Sequence, residues 1–201
     1  MKSYSPVLQD LIEAFKQLPG IGIKSAQRIV FYLLKENDNK AQFLADSIQK
    51  SFQSIKECDQ CRMYTEEQTC GICTDNNRDS GIICVIETPA DLIAIENTME
   101  FKGKYFVLMG RLSPIDGIGP EELKIDLLIN VLQQSNVREV ILAVSPTVEG
   151  EATVAYIASL VESENIKSSR IAYGVPMGGE LEYVDSNTLI QALNNRNTID
   201  G

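Results

Sequence analysis

Histidine is missing from all 201 residues of this chain. That absence removes the Ser-His-Asp and Cys-His constellations, the H-E-x-x-H zinc-protease helix and every mixed Cys/His zinc finger. Also missing is any run of eighteen consecutive apolar residues, and the opening Met1-Lys2-Ser3-Tyr4-Ser5-Pro6 has no apolar stretch behind its charge. The expected location is therefore the cytoplasm, with no membrane as partner. Internal repeats and low-complexity tracts are absent as well. With 44% hydrophobic and 23% charged residues, the composition is that of a globular chain and excludes a disordered tail.

Positive charge is in short supply, with 18 Lys and Arg against 28 Asp and Glu and a formal net charge of -10. A nucleic-acid partner needs basic side chains that displace counterions from phosphates. The shortage is uneven, however. Residues 1–57 carry eight basic against six acidic side chains, residues 58–80 carry two against five, and residues 81–201 carry eight against seventeen. If DNA is bound, the first segment is where it binds.

Three grammars follow one another along the chain. Val7, Leu8, Leu11, Ile12, Phe15 and Leu18 recur at helical spacing after Pro6 and stop at Pro19-Gly20. Ala26, Ile29, Val30, Leu33 and Leu34 repeat the period, as do Phe43, Leu44, Ile48, Phe52 and Ile55, so residues 1–57 are predicted to form a small helical domain. Residues 58–80 lose the period and become polar, with no apolar core of their own. From Gly81 onward short apolar runs at Ile82–Ile86, Tyr105–Met109, Val140–Val144 and Ile171–Tyr173 alternate with helical stretches. That alternation predicts an α/β domain over 81–175 with a mainly parallel sheet covered on both faces. The segment 176–201 has Gly178-Gly179 and a weakly apolar helix, too little to fold alone. The fold class is thus a multi-part α+β chain.

Five cysteines expected to meet a reducing environment point to metal ligation rather than disulfides. Cys58-x2-Cys61 and Cys70-x2-Cys73 form two knuckles, whose four thiolates can close a tetrahedron around one Zn2+ per chain and leave no position open for substrate. The neighbours Asp59, Gln60, Arg62, Thr69 and Thr74 are too polar for an ordinary cysteine core. Cys84 lies in an apolar run and is expected to be a small core residue.

Between the first two helical runs stands Leu18-Pro19-Gly20-Ile21-Gly22-Ile23-Lys24-Ser25-Ala26-Gln27-Arg28. In a helix-hairpin-helix, glycines such as Gly20 and Gly22 let backbone amides approach a phosphate, and the second helix offers its positive end. Lys24 and Arg28, four residues apart, project from one face and complete a sequence-independent DNA grip. The competing explanation is an ordinary helical hairpin with a solvated basic face. A P-loop is rejected, because Ile23 precedes Lys24 and a helix, not a strand, precedes Gly20.

In the α/β part, Glu87 follows the first strand and Glu149 and Glu151 follow the third. Loops after parallel strands gather at one sheet edge, so the three carboxylates can converge to bind a partner or Mg2+. Alternatively, Glu149 and Glu151 simply favour the N-terminus of the helix they open.

In this order the motifs resemble the RecR family of bacterial recombination mediators. The resemblance continues through Ile86-Glu87-Thr88-Pro89-Ala90-Asp91, Tyr105 to Pro114, Asp116 to Pro120, Pro146 to Glu151 and Gly174 to Glu182. It implies a Toprim domain at 81–175, a zinc finger at 58–80 and a ring-like homo-oligomer, dimer or tetramer, with residues 176–201 in its contacts. It also implies partnership with RecO and RecF and loading of RecA on DNA coated by single-strand-binding protein. Two departures stand out. Ile23 occupies a place where that family's hairpin often has Pro, and Thr147-Val148-Glu149 replaces the Asp-x-Asp of catalytic Toprim enzymes. Without that acid pair or an evident Tyr or Lys nucleophile, the chain reads as a non-catalytic scaffold. The rival is a Mg2+-dependent Toprim nuclease or primase-like enzyme.

Overall fold

A computed structural model describes residues 4–35, 38–134 and 136–196; the first three residues of the opening stretch and the last five of the C-terminal segment lie outside them. The chain divides into two units, Met1–Ile55 and Lys56–Gly201. No helix among the described residues is long and apolar enough to cross a membrane.

The first unit is three helices, α1 (Pro6–Lys16), α2 (Ile23–Lys35) and α3 (Asp38–Ser54). Pro6 supplies a locked φ at the first turn of α1 after an extended Ser5. Gly20 takes φ 77°, a left-handed value that a side chain would oppose, and Ile21 N–H closes the turn on the Leu18 carbonyl at 3.1 Å. Ile12, Ala26 and Val30 are buried, with Leu8, Phe15 and Ile21 packed around them. The third apolar run does become a helix, yet Phe43 and Phe52 stay 74% and 87% exposed. A core of three fully buried residues is too small to cover that face.

The second unit opens with a two-stranded antiparallel hairpin, β1 (Lys56–Glu57) and β2 (Tyr64–Thr65), followed by the one-turn helix α4 (Gly71–Thr74). Its sheet contains β3 (Asp79–Ile86), β4 (Gly103–Val107), β5 (Glu139–Ala143) and β6 (Lys167–Arg170) in the order β4-β3-β5-β6, all parallel. Helices α5 (Pro89–Glu96), α6 (Ile125–Gln134) and α7 (Val148–Ser163) connect the strands; a 3-10 turn (Leu181–Tyr183) and α8 (Ser186–Asn194) follow. The two-residue period of β3 sends Ile83 and Val85 to one face, against Leu128, Leu132, Ile157 and Val161 of α6 and α7. Cys84 and Ile86 face the other way, against Tyr105, Val107 and Leu92, with Met63 and Ile72 of the cysteine-rich segment packed beside them. One face of the sheet is therefore completed by a segment that has no core of its own.

The fourth strand differs from expectation. It is Lys167–Arg170, not Ile171–Tyr173, which lies beyond it. At this edge strand only Ser169 is even half-buried, so hydropathy does not mark the pairing with β5, and Ile171 is half exposed.

The starts of α5 and α7 are set by side-chain caps. Thr88 and Asp91 form a reciprocal capping box at α5, with Asp91 N–H on Thr88 Oγ1 at 3.3 Å and Thr88 N–H on Asp91 Oδ2 at 2.8 Å. At α7, Thr147 Oγ1 accepts the Gly150 N–H at 3.1 Å, and a Cβ on Gly150 would collide with the Ser145 carbonyl oxygen.

Where the cysteine-rich segment runs into β3, Arg78 pairs with the Glu96 carboxylate at the end of α5 and donates to the Gly103 carbonyl at 3.1 Å, while Tyr105 OH donates to Glu96 Oε1 at 2.6 Å. The Arg78 hydrogen bonds hold the Glu96 carboxyl below its ordinary value. A carboxyl so lowered binds fewer protons folded than unfolded. Its contribution is present above the unfolded value of about 4.3 and is lost as pH falls through the folded one. Glu96→Gln is expected to destabilise the fold by about 1–2 kcal/mol at pH 7. Denaturant melts of variant and wild type should show that gap close at low pH.

Candidate functional site

The four cysteines meet although they come from two different turns. Cys58 follows β1, and the chain reverses so that Cys58 N–H bonds to the Met63 carbonyl at 2.8 Å and Arg62 N–H to the Cys58 carbonyl at 2.9 Å. Cys70 caps α4 and Cys73 lies within it. All four side chains are buried, and their sulfurs lie within 4.8 Å of one another, Cys61 and Cys70 at 3.5 Å. Thiolates around zinc at ~2.3 Å stand roughly 3.8 Å apart along each edge of a tetrahedron, so the cluster needs only a small adjustment to hold the ion.

Backbone amides already point at the sulfurs: Met63 N–H at Cys61 Sγ (3.4 Å) and Cys70 N–H at Cys58 Sγ (3.3 Å). Hydrogen bonds from Cys61 and Cys73 pull the Cys70 thiol down to about 2, whereas the bonds with Cys70 and Cys73, together with burial, push Cys61 up. Four thiols packed this closely cannot all carry charge unless a cation sits among them. The donor set fits a divalent metal with a complete protein shell and a structural role. Cys84 stands apart in β3, its thiol pushed up to about 12 by burial, and belongs to the core as expected.

One residue of this centre is not legible in the sequence. Arg62, beside Cys61, has φ 65° and is 3% exposed. Its Nε donates to Glu57 Oε2 at 3.0 Å, and its Nη1 donates to the carbonyls of Leu108 and Leu123 at 2.7 and 2.9 Å. Burial raises Glu57, but hydrogen bonds from Arg62 and Lys124 outweigh it and leave the carboxyl below its ordinary value. Two further links join the centre to β4: Val107 N–H to the Cys61 carbonyl at 2.9 Å, and Lys104 Nζ to the Cys73 carbonyl at 2.6 Å. An Arg inside a polar knuckle carries no sign in the sequence that it will be buried.

In the helical unit, Ala26 is wholly buried while Lys24 and Arg28, on either side of it in α2, are exposed. A Cβ on Gly22 would meet nothing within 4 Å, so the backbone at the start of α2 is open to a phosphate group. Gly20, Gly22, Lys24 and Arg28 thus lie together at one hairpin.

The acidic residues occupy the C-terminal edge of the sheet, and Glu87 bridges its topological switch point between β3 and β5. Glu87 is 8% exposed; its Oε1 accepts the Ser145 N–H at 2.6 Å, and Arg111 Nη1 stands 3.8 Å from its Oε2. Glu149 and Glu151 lie in the first turn of α7. Glu151 is paired with Arg170 at 2.5 Å, and that hydrogen bond lowers its carboxyl. The three carboxylates do not come within 4.8 Å of one another as a ligand set; among the described residues the four cysteines are the group that does. With Glu87 engaged by an amide and flanked by a guanidinium, the edge is not arranged as a cage of free oxygens for Mg2+.

Comparison with known proteins agrees with this layout. Residues 8–51 match the family model for the RecR helix-hairpin-helix, residues 81–172 that for the Toprim domain, and residues 174–197 that for the RecR C-terminal segment. Recombination protein RecR of Coxiella burnetii (strain RSA 493 / Nine Mile phase I) is 50% identical over 194 residues, 96% of this chain and 96% of that protein.

If the cysteine cluster is a structural centre, native protein holds about one divalent ion per chain, measurable by elemental analysis. Replacing Cys58 and Cys73 together by Ala is expected to abolish metal binding and to unfold residues 56–75, seen as lost amide protection there. Full metal content in that double variant would refute the assignment.

Proposed function

The chain belongs to the RecR family, and we propose that it serves DNA repair and recombination as a non-catalytic mediator, acting with RecO and RecF to load RecA on single-stranded DNA coated by single-strand-binding protein. The observation that carries this reading is the hairpin, where exposed Lys24 and Arg28 follow an unobstructed Gly22 on the part of the chain that is richest in positive charge. Such a surface meets phosphates of any sequence, as a loader that works anywhere on a chromosome requires.

In this proposal the metal is Zn2+, held by Cys58, Cys61, Cys70 and Cys73. Its chemistry is to hold four thiolates together against their mutual repulsion and so supply the stability that burial cannot. The working form is a ring-like homo-oligomer, dimer or tetramer, with the C-terminal segment in its contacts. Glu87, Glu149 and Glu151 lie in the half of the chain that carries the surplus negative charge, which steers a basic partner protein and repels DNA.

Two measurements test the two surfaces. DNA affinity should fall with rising salt at a log-log slope of about -0.9 per duplex phosphate neutralised. Lys24→Glu with Arg28→Glu should remove binding while leaving the melting curve intact, and wild-type affinity in that variant would reduce the hairpin to a structural turn. Glu149→Lys should weaken the complex with RecO at least about tenfold, or about 1.4 kcal/mol, yet leave binding of labelled DNA by the protein alone unchanged. Mg2+-dependent strand cleavage that disappears in this variant would favour a nuclease instead.

A further inference from the structure

Arg62 touches three parts of the second unit at once, and its contacts are not those of a surface charge. Its backbone completes the first cysteine knuckle, held left-handed at φ 65° with its N–H on the Cys58 carbonyl. Its side chain runs into the interior and donates to the carbonyls of Leu108 and Leu123, residues that are 0% and 1% exposed. Those carbonyls stand at the two ends of one excursion, residues 109–122, which leaves the sheet after β4 and returns before α6. A single guanidinium nitrogen therefore closes the base of this loop.

The loop in turn is tied to the acidic edge. Gly110 N–H bonds to the Glu87 carbonyl at 3.0 Å, and Leu112 N–H bonds to Thr153 Oγ1 of α7 at 2.9 Å. Arg111 faces the Glu87 carboxylate, whose other oxygen holds the Ser145 amide. Inside the loop, Ser113 and Ile118 pair as a bridge, with Ser113 Oγ on Asp116 Oδ2 at 2.6 Å, and Ile115 at the turn is 96% exposed.

We propose that Arg62 is a positioning residue that couples occupancy of the cysteine centre to the order of loop 109–122, so that the metal holds in place the Arg111–Glu87 contact at the sheet edge. The knuckle sets the Arg62 backbone, the guanidinium clamps the loop ends, and the loop presents Arg111 to Glu87. Without the clamp the Leu108 and Leu123 carbonyls are left without a charged donor in a dry interior, and the loop opens to restore their hydrogen bonds with water. This inference rests on the reading of the cluster as a metal centre, and its test separates the two.

Hydrogen exchange on the full chain reads the coupling directly. Metal-loaded Arg62→Leu is expected to keep about one ion per chain. The amides of Gly110, Leu112, Ser113 and Ile118 should then exchange at least about tenfold faster than in wild type, while Val85 and Leu142 in the central strands keep their protection. Wild type stripped of metal should show the same accelerated amides together with those of residues 56–75. Should Arg62→Leu fail to fold, Arg62→Lys keeps the charge but cannot reach two carbonyls and Glu57 together, and the same amides should accelerate. Undisturbed loop amides in the metal-loaded variants would overturn the clamp. Chelation that loosens only residues 56–75 would overturn the coupling while sparing the metal centre. Native protein without metal would overturn the metal reading and the coupling with it, leaving the Arg62 variants to decide the clamp alone.

Discussion

The face of the sheet that α5 leaves open is filled by a segment organised around four sulfur atoms that lie within 4.8 Å of one another. The segment from Cys58 to Ser80 is mostly polar, and among the described residues its buried cluster is these four cysteines, with Met63 and Ile72 packed against them. It offers Met63 and Ile72 to the face formed by Cys84, Ile86, Tyr105 and Val107. It also offers the Cys61 carbonyl to the free side of β4. A sheet that is mostly parallel has to be covered on both faces. Here α6 and α7 cover one, and α5 shares the other with the cysteine-rich module.

Much of this is legible in the sequence. The two C-x2-C pairs announce a tetrahedral donor set because the spacing itself imposes a knuckle, and the apolar runs at Ile82–Ile86 and Val140–Val144 announce central strands because both of their faces are buried. Less could be read where structure is made by long-range contacts. Arg62 reads as a solvated charge, and only the distant carbonyls of Leu108 and Leu123 make it an interior residue. Glu87 reads as a free acid, and only the meeting of β3 with the segment after β5 shows that it is an acceptor for Ser145. The exposure of Phe43 and Phe52 could not be read from α3 either, since periodicity tells where an apolar face lies and not whether anything covers it.

The charge map has a similar logic. A net charge of -10 averages a first segment in which basic side chains outnumber acidic ones with an edge on which one acid, Glu151, is matched by Arg170 and another, Glu87, faces Arg111. In the function proposed above, the surplus of opposite sign on each unit lets the first meet an anionic polymer that the second repels.

The sheet ends differently on its two sides. Beside β4 the Cys61 carbonyl takes an amide that would otherwise face outward, whereas among the described residues no strand lies beyond β6. An uncovered strand is a template on which a foreign chain can stack and begin an aggregate. Lys167-Ser168-Ser169-Arg170 is short, polar and charged at both ends, the composition that discourages such stacking. The polarity that hides β6 from a hydropathy reading is thus the same property that makes its open side a poor template for stacking.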